Sequence, residues 1–592
     1  MLTRSFLTPE ENSKVLAYTP MFHARLFEET AKYRDAHFQA TPPSTKAEAE
    51  ETETPQTPAP APAPFLDGNP SFDRPLFVQF CANDPAHLLG AAQLAAPHCD
   101  AVDLNLGCPQ GIARKGHYGA FLQEDHALVY DLIHTLHESL PVPVTAKIRI
   151  LETREATLEY ARTVLRAGAS ILTVHGRRRE QKGHLTGLAD WAYIRYLREN
   201  LPPDTVLFAN GNILQPGDLQ RCLDATGADA VMAAEGNLSN PALFARPPPP
   251  GQEGREYWRP RDGNGDDIDR GGWRVDAVFR RYLDILHRHA LQRDPPARRP
   301  LFVVGDDEGW LHQADNNLSN TNGEEEGPAR KKRKKNDGGG GGGDDAGGKG
   351  KGGKGGGKQE RTTSPNLLAV RPHLFHLLRH LVSRHTDIRD ALARCPAGDL
   401  AAVERVLDMV ERRVAGALLE YERSGGRSVE EEEEEKERAE LELKKLKKPG
   451  IEGGERGKEE EKEEEEEGEQ EDEDDPESSV AAVRACKRPW WVVQPIVRPL
   501  PKEALAKGSI RLSKKDLKRQ ELQQQQQQKK KSEAMKNTNG DGVGVSKMGR
   551  KKEEEDNVDG LMKLDGKDAI KEPLTVDEKK QPNVPIDELV AG

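Results

Sequence analysis

The chain has 592 residues, 35% of them hydrophobic and 32% charged, and its formal net charge is −13. So high a charged share excludes a protein that is folded throughout, because highly charged segments bury too little apolar surface to offset the entropy lost on folding. Six cysteines without paired spacing, and the lack of an apolar run of about 18 residues, argue against a secreted disulfide-stabilised domain and a membrane segment and predict a cytoplasmic or nuclear protein.

Seven short apolar runs, each followed by a polar loop and a helical segment, recur between residues 13 and 245. They are VLAYTPM from Val15, PLFVQF from Pro75, AVDLNLG from Ala101, PVTAKIRI from Pro143, SILTVHG from Ser170, TVLFANGNI from Thr205 and ADAVMAAEG from Ala228. Continuous apolar runs between amphipathic helices predict parallel strands buried on both faces, in a barrel or a doubly wound sheet. Every run ends in polar residues or glycine, as at the carboxyl rim of a barrel, whereas a doubly wound sheet gathers its site at one switch point. We therefore predict an α/β fold, a (β/α)8 TIM-type barrel, over residues 1–245.

A barrel of this type closes with eight strands, and the sequence offers seven. Residues 1–14 fall where the first helix is expected, with no strand before them. We expect either that the first strand lies upstream of this chain or that the protein lacks it. A barrel without that strand has two sheet edges and an open interior.

The remaining sequence divides into helical and low-complexity segments. Amphipathic helices that begin at Arg274, Leu367 and Leu400 predict a small helical domain over residues 246–423. A tryptophan-containing segment, residues 481–505, is too apolar for its polar surroundings, so we expect it to pack on the folded body. Biased composition predicts disorder in an insert at 41–65, a Gly- and Lys-rich linker at 305–363, an acidic linker at 424–480 and a tail at 506–592.

Motifs along the predicted strands resemble the tRNA-dihydrouridine synthase family between Tyr18 and Phe244. DLNLGCP with GHYGAFL, AKIR, TVHGRRREQKG, FANGNI and VMAAEGNLSNPALF occur in the family's order and at its spacings. YTPMFHARLF, VQFCANDP and PWWVVQP are similar to the eukaryotic branch that modifies positions 16 and 17 of the tRNA D-loop. The resemblance implies an enzyme that binds FMN, takes electrons from NADPH or NADH and reduces uridine in tRNA to 5,6-dihydrouridine. It also implies that the missing first strand removes one flavin contact.

One cysteine, Cys108, stands directly after an apolar strand and before Pro109. This position predicts a thiol fixed at the barrel mouth, although a small core residue is the more common fate of a free cysteine. A thiol with a pKa near about 8.5 is protonated at neutral pH and can act as an acid. The resemblance implies that Cys108 is the catalytic residue, which gives a proton to C5 of uracil while C6 receives hydride from the flavin.

Polar residues at other strand ends match the family's flavin-binding positions. Lys147 interrupts an apolar strand, where a charge needs a polar or anionic partner; the alternative is a surface lysine at a strand end. Turns after the last two runs lie where TIM-type barrels bind phosphate. By resemblance, the cofactor-binding residues are Gln79, Lys147, His175, Asn210, Gly211, Asn212, Ala234 and Glu235, and no metal site is predicted.

Positive side chains near the predicted mouth suit an RNA substrate, because a uracil must leave its stack to be reduced. Arg149 lies two residues after Lys147 and so faces the same way. We assign substrate binding to Asn105, Arg149, Arg177 and Arg178. The resemblance implies tRNA as the partner, bound also by the helical domain over residues 246–423, and we expect the protein to be a monomer. Two other functions stay open: an FMN oxidoreductase of a free small molecule, and a non-catalytic tRNA-binding protein derived from this family.

Overall fold

The structure, a computed structural model, describes residues 1–42, 63–183, 186–260, 271–312, 364–429 and 488–496. The segments predicted to be disordered at 41–65, 305–363, 424–480 and 506–592 lie wholly or largely outside these residues. Two large hydrophobic cores form within the described residues, beside one small cluster around Cys108. One surrounds a parallel sheet, and the other lies among helices that follow it.

A parallel sheet of eight strands occupies the first part of the chain. The strands are β1 (Ala17–Tyr18), β2 (Phe22–His23), β3 (Leu76–Cys81), β4 (Ala101–Asn105), β5 (Val144–Arg149), β6 (Ile171–His175), β7 (Val206–Asn210) and β8 (Ala230–Met232). Both β1 and β2 pair with β3, so they are two segments of one strand position. From β3 to β8 the order in the sheet follows the chain. The seven strand positions coincide with the seven apolar runs, and the predicted barrel-type α/β class is confirmed.

Helices cover the outer face of the sheet, because alternate residues of each strand point outward. Val102 and Leu104 of β4 are fully buried in the core under these helices, whereas Asp103 and Asn105 bond to neighbouring strands on the inner face. The helices of this region are α1 (Pro9–Asn12), α2 (Ala24–Glu29), α3 (Ala31–His37), α4 (Pro85–Ala95), α5 (Gly111–Gly116), α6 (His126–Ser139), α7 (Arg154–Arg166), α8 (Trp191–Asn200), α9 (Pro216–Thr226) and α10 (Glu235–Ser239).

The N-terminal segment makes contacts near both ends of the sheet. Thr3 Oγ1 donates to Asn237 Oδ1 at 3.0 Å, just beyond β8, and Arg4 Nη2 donates to the Pro75 carbonyl at 2.9 Å, just before β3. Among the described residues, no strand pairing joins β8 to β1. This arrangement agrees with the expectation of a barrel that has seven strand positions.

A second core lies among the helices after the barrel. The longest helix buries Val403, Val406, Val410 and Val414, three or four residues apart, on one face. These helices are α11 (Val275–Ile285), continued by a π-helical turn over Leu286–Ala290, α12 (Pro365–Leu368), α13 (Val370–Leu377), α14 (Arg379–Arg384), α15 (Thr386–Arg394) and α16 (Leu400–Ser424). None of the helices described is long and apolar enough to cross a membrane.

A segment from far along the chain, residues 488–496, completes this second core. It extends a small antiparallel hairpin of β9 (Tyr257–Trp258) and β10 (Gly272–Trp273), since Val493 N–H donates to the Trp273 carbonyl at 2.9 Å. Trp491 is 3% exposed and meets Trp258 edge-on, with ring centroids 5.7 Å apart. The tryptophan segment therefore forms part of the helical core and covers one side of it.

Trp491→Ala is expected to destabilise the helical region by about 3–5 kcal/mol, because it opens a large cavity in a packed core. Trp491→Phe is the control: the indole N–H is buried and has no acceptor among the described residues, so a phenyl ring forfeits no hydrogen bond. Thermal unfolding of the three proteins measures the effect. Equal midpoints for the alanine and phenylalanine variants would contradict the packing role.

Candidate active site

Polar side chains of four adjacent strands, β4 to β7, meet at the carboxyl rim of the sheet. In the strand register, Asn105 of β4 pairs with Lys147 of β5, and His175 of β6 pairs with both Arg149 of β5 and Asn210 of β7. Each of these five residues is at most 7% exposed. The rim is therefore a buried polar site, formed because parallel strands place their carboxyl ends together.

The loop that carries Cys108 is held through its backbone. Asn105 Oδ1 accepts the N–H groups of Gly107 at 3.0 Å and Cys108 at 2.9 Å, and the Cys108 carbonyl accepts the Ala120 N–H at 3.1 Å. Asn and Asp side chains commonly bond backbone two or three residues on, which fixes the chain after a strand. The thiol is thus attached to a rigid turn.

The loop after β6 is tied to the same turn. Arg149 Nε donates to the Gly107 carbonyl at 2.6 Å, and Arg149 Nη1 donates to the Arg178 carbonyl at 3.1 Å. Lys182 Nζ donates to the Pro109 carbonyl. Arg149, predicted to bind substrate, therefore acts first as a bridge between the two loops that border Cys108.

Gly119 lies against Cys108 in a left-handed conformation, with φ of +64°. A Cβ there would come within 2.9 Å of the Cys108 carbonyl oxygen and 3.0 Å of its Cβ. The glycine is thus required both by its backbone angle and by the space that Cys108 occupies.

Gly119→Ala is therefore expected to lower the free energy of unfolding by about 1–3 kcal/mol. Gly111→Ala is the matched control, because Gly111 lies in α5 with no atom within 4 Å of an added Cβ. Chemical denaturation of both variants measures the difference. Equal losses would show that the Gly119 contact is not tight.

The Cys108 thiol lies in an apolar environment beside positive charge. It packs with Cys81, Ala113 and Tyr118. Burial raises the pKa of the Cys108 thiol above its usual value, and the charges of Arg149, Lys147 and Lys182 oppose this shift without cancelling it. The thiol is consequently protonated at neutral pH and can donate a proton.

Lys147 is a buried cation next to that thiol. Burial, aided by the charge of nearby Arg149, lowers the pKa of its ammonium to about 8, although Asp103 and Cys108 act in the opposite direction. Lys147 is 5% exposed. A partly desolvated ammonium of this kind stabilises negative charge that develops on a bound group.

The rim around His175 is ordered by Arg177. Arg177 Nη1 donates to His175 Nε2 at 3.1 Å, and Arg177 Nη2 donates to Asn212 Oδ1 at 2.7 Å. Because a guanidinium has only donors, Nε2 must accept, so His175 is neutral with its proton on Nδ1. Arg177, predicted to contact RNA, is 7% exposed and lies within the protein, whereas the neighbouring Arg178 is exposed.

The turns after β7 and β8 carry polar groups that a ligand could bind. Asn210 Oδ1 is buried and has no donor among the described residues, as expected of an acceptor that a bound molecule satisfies. Gly211, at φ of +113°, has no space for a Cβ, which would lie 2.5 Å from that of Ala189. Ala234 is exposed immediately before α10, and Glu235 is the first residue of this short helix. These residues suit a polar ligand with an anionic group.

The sequence analysis missed Asp103, Thr145 and Gly119. Asp103 is fully buried and bonds to Gln79 Nε2 at 2.8 Å and to Thr145 Oγ1 at 2.6 Å. A signal was present, since an aspartate two residues before Asn105 shares its inward face and is a costly residue to bury without a role. Gly119 carried no such signal, because its requirement comes from a contact across the loop.

A family model described as "Dihydrouridine synthase (Dus)" matches residues 3–251. A tRNA-dihydrouridine(16/17) synthase of Saccharomyces cerevisiae is 58% identical over 229 residues, which are 39% of this chain and 48% of the yeast protein. A protein of the same name from Schizosaccharomyces pombe is 38% identical over 412 residues, covering 69% of this chain and 74% of that protein. A Mus musculus protein named as similar to this synthase is 42% identical over 295 residues, half of this chain and 54% of its own length. The chain thus spans about half the length of the budding-yeast and mouse relatives.

Proposed function

Because this chain belongs to the dihydrouridine synthase family, we propose that it is a flavin-dependent oxidoreductase that reduces uridine in tRNA to 5,6-dihydrouridine. Its closeness to proteins named for positions 16 and 17 supports those two positions of the D-loop as its targets. The same names include NAD(P), which supports NADPH or NADH as the reductant. tRNA as the substrate in turn favours a location in the cytoplasm or the nucleus.

The observation that carries the proposal is a protonated thiol beside a buried cation at the rim of the barrel. Burial keeps the proton on Cys108, and Lys147 lies near enough for their charges to interact. Reduction of the uracil double bond adds a hydride to one carbon and a proton to its neighbour, so a site for it needs both an acid and stabilisation of negative charge. This rim has both.

The residues at the rim fit FMN. A reduced flavin, when bound, would supply the hydride for C6 of uracil. Lys147 would hold the anionic form of the ring by its charge, and Gln79 and Asn210 would meet its polar edge. Asn210, with its unsatisfied buried oxygen, is the residue whose chemistry fits most directly. Gly211, Asn212, Ala234 and Glu235 would approach the phosphate with their backbone, since the Glu235 carboxylate would repel it.

Cys108 supplies the proton to C5 of the uracil. Its turn is fixed by Asn105 and Ala120, so the thiol needs no rearrangement before transfer. His175, as a neutral ring, adds no positive charge that would compete with Lys147 for an anion.

The RNA would meet the exposed positive side chains around the rim. Arg178 is exposed on the loop after β6, and Arg114 and Lys115 are exposed in α5, directly after the Cys108 turn. Phosphate contacts of this kind position a nucleic acid without reading its sequence. We therefore assign tRNA docking to Arg178, Arg114 and Lys115, and we assign Arg149 and Arg177 to the arrangement of the loops beneath them.

The first test is an absorbance spectrum of the purified chain after incubation with FMN, followed by single-turnover reduction with NADPH and addition of unmodified tRNA. A flavin band that bleaches with NADPH and recovers with tRNA, together with dihydrouridine at positions 16 and 17, is the expected result. Turnover of free uridine without tRNA would favour a small-molecule oxidoreductase. Binding of tRNA without flavin would favour a non-catalytic binding protein.

A further inference from the structure

An unbroken series of hydrogen bonds connects the centre of the barrel to the Cys108 turn. Asp103 Oδ2 accepts from Gln79 Nε2 at 2.8 Å, and Gln79 Oε1 accepts from Asn105 Nδ2 at 2.9 Å. Asn105 Oδ1 then accepts the backbone N–H groups of Gly107 and Cys108. All three side chains are at most 7% exposed, so water cannot replace a lost partner at low cost.

We propose that Asp103 is a positioning residue for the reaction assigned above, because its carboxylate is the acceptor that this series of bonds requires at its inner end. An ionised carboxylate only accepts, so Gln79 must turn its NH2 group toward Asp103 and its oxygen toward Asn105. Asn105 must then donate to Gln79 and keep its oxygen for the two backbone amides. The N–H groups of Gly107 and Cys108 can only donate, so they require the same direction from the other end of the series, and any group at position 103 that offered Gln79 no acceptor would oppose it.

The direction of the series does not depend on the charge of Asp103. Burial raises the pKa of this carboxyl group, while its bonds from Thr145 and Gln79 and the charge of Lys147 act against the shift. A proton on Oδ1 would lie toward Thr145, which can accept as well as donate. Oδ2 would still accept from Gln79, so the orientation of the amides would be unchanged.

The series also limits what Asn105 can offer a substrate. Both lone pairs of its oxygen are engaged by backbone N–H groups, and one of its two amide hydrogens is engaged by Gln79. One N–H remains for uracil. Asn105 is thus chiefly the link between Asp103 and the turn of Cys108, and any contact with substrate is through a single donor.

Exchanging the donor and the acceptor between positions 79 and 103 tests this proposal. The positioning role rests on the proposed function, but the experiment can be done without catalysis. Asp103→Leu leaves the Gln79 NH2 group without its acceptor, whereas Asp103→Asn alone keeps one, because its own NH2 can turn to the Thr145 hydroxyl, which accepts as well as donates. Gln79→Glu puts two carboxylate oxygens together. The double variant Asp103→Asn with Gln79→Glu restores a donor to an acceptor, leaves the Asn105 bonds as they are and keeps the net charge. Thr145→Val is the control, since it removes a buried bond to Asp103 that lies outside the series.

The readout is hydrogen exchange at the Gly107 and Cys108 amides, resolved by mass spectrometry with fragmentation, in protein without tRNA or NADPH. We expect exchange to be about 10-fold or more faster in the single variants Asp103→Leu and Gln79→Glu, and within about 3-fold of the unaltered chain in the double variant and in the control Thr145→Val. Unchanged exchange in the single variants, or no recovery in the double variant, would overturn the role of Asp103.

If neither single variant folds, the test is whether the double variant does. Cooperative thermal unfolding of the double variant would then support the series, and its failure to fold would overturn it. The outcome is separate from that of the proposed function, because exchange needs no turnover. If the unaltered chain forms no dihydrouridine, the proposed function fails while the exchange result stands. If it does form dihydrouridine but exchange is indifferent to polarity, only the positioning role fails.

Discussion

Cys108→Ala is expected to form dihydrouridine about 10²–10⁴-fold more slowly than the unaltered chain, the range in which general acids contribute to catalysis. Binding of FMN and its reduction by NADPH should be nearly unchanged, because Cys108 donates a proton to the substrate and not to the flavin. Single-turnover oxidation of the reduced flavin by tRNA separates these steps. The loss should therefore appear in the second half of the reaction alone.

Cys81→Ala is the matched control for this variant. Cys81 ends β3, is 2% exposed and packs in the same small cluster as Cys108. Burial raises the pKa of the Cys81 thiol to about 12, so it too is protonated, but it belongs to a different strand end. A similar slowing in both alanine variants would indicate a packing effect, and normal turnover by Cys108→Ala would end its assignment as the acid.

Lys147→Met is expected to slow reduction of the flavin by about 10²–10³-fold, as the loss of a preorganised charge does in other sites. Methionine has nearly the length of lysine without its charge. Lys115→Met is the control, because Lys115 is exposed in α5 and its change should affect only tRNA affinity. Stopped-flow reduction by NADPH, without tRNA, measures the step directly.

The pH dependence of this step follows from the pKa of Lys147, which burial lowers to about 8. Flavin reduction should be constant below that pH and fall above it as the ammonium loses its proton. The proton on Cys108 should persist into the alkaline range because its pKa is raised. A rate that stays constant from pH 7 to about pH 10 would contradict the role of the Lys147 charge.

Lys147 should also lower the stability of the folded protein. A lysine whose pKa is lowered in the folded state destabilises that state at neutral pH, and the cost disappears as pH rises from about 8 towards 10.5. Lys147→Met should therefore be more stable than the unaltered chain at pH 7, by up to about 3 kcal/mol, and no more stable near pH 10.5. A variant that is slow but more stable would separate a catalytic role from a structural one.

The sequence was most informative where a polar or reactive residue interrupts a run of apolar residues. Apolar runs between helical segments predicted the strands, because burial on both faces of a parallel sheet leaves few polar positions. Lys147 and Cys108 stood out at the ends of such runs. The family resemblance, now confirmed, supplied the roles that the pattern alone left open.

Features that depend on contacts across the fold could not be predicted in this way. Arg177 was assigned to RNA because it stands in an arginine run, yet its neighbours His175 and Asn212 come from separate strand ends that meet only in the sheet. The direction of the amide series from Asp103 likewise needs the register of β3 against β4. The division of one strand position into β1 and β2 could not be predicted either. Both segments pair with β3, which lies beyond the insert in the sequence.

The tryptophan segment, residues 488–496, is synthesised long after the helices that it covers. The barrel and every residue of its rim are complete by α10, but the helical core lacks Trp490 to Val493 until some sixty further residues have followed α16 from the ribosome. Synthesis proceeds at about 5–20 residues per second, so the apolar side chains of α16 stay uncovered for several seconds. A message that stops anywhere between residues 430 and 487 would encode an intact barrel rim on a protein whose helical core stays open. Exposed apolar surface of this kind is what chaperones and proteases act on.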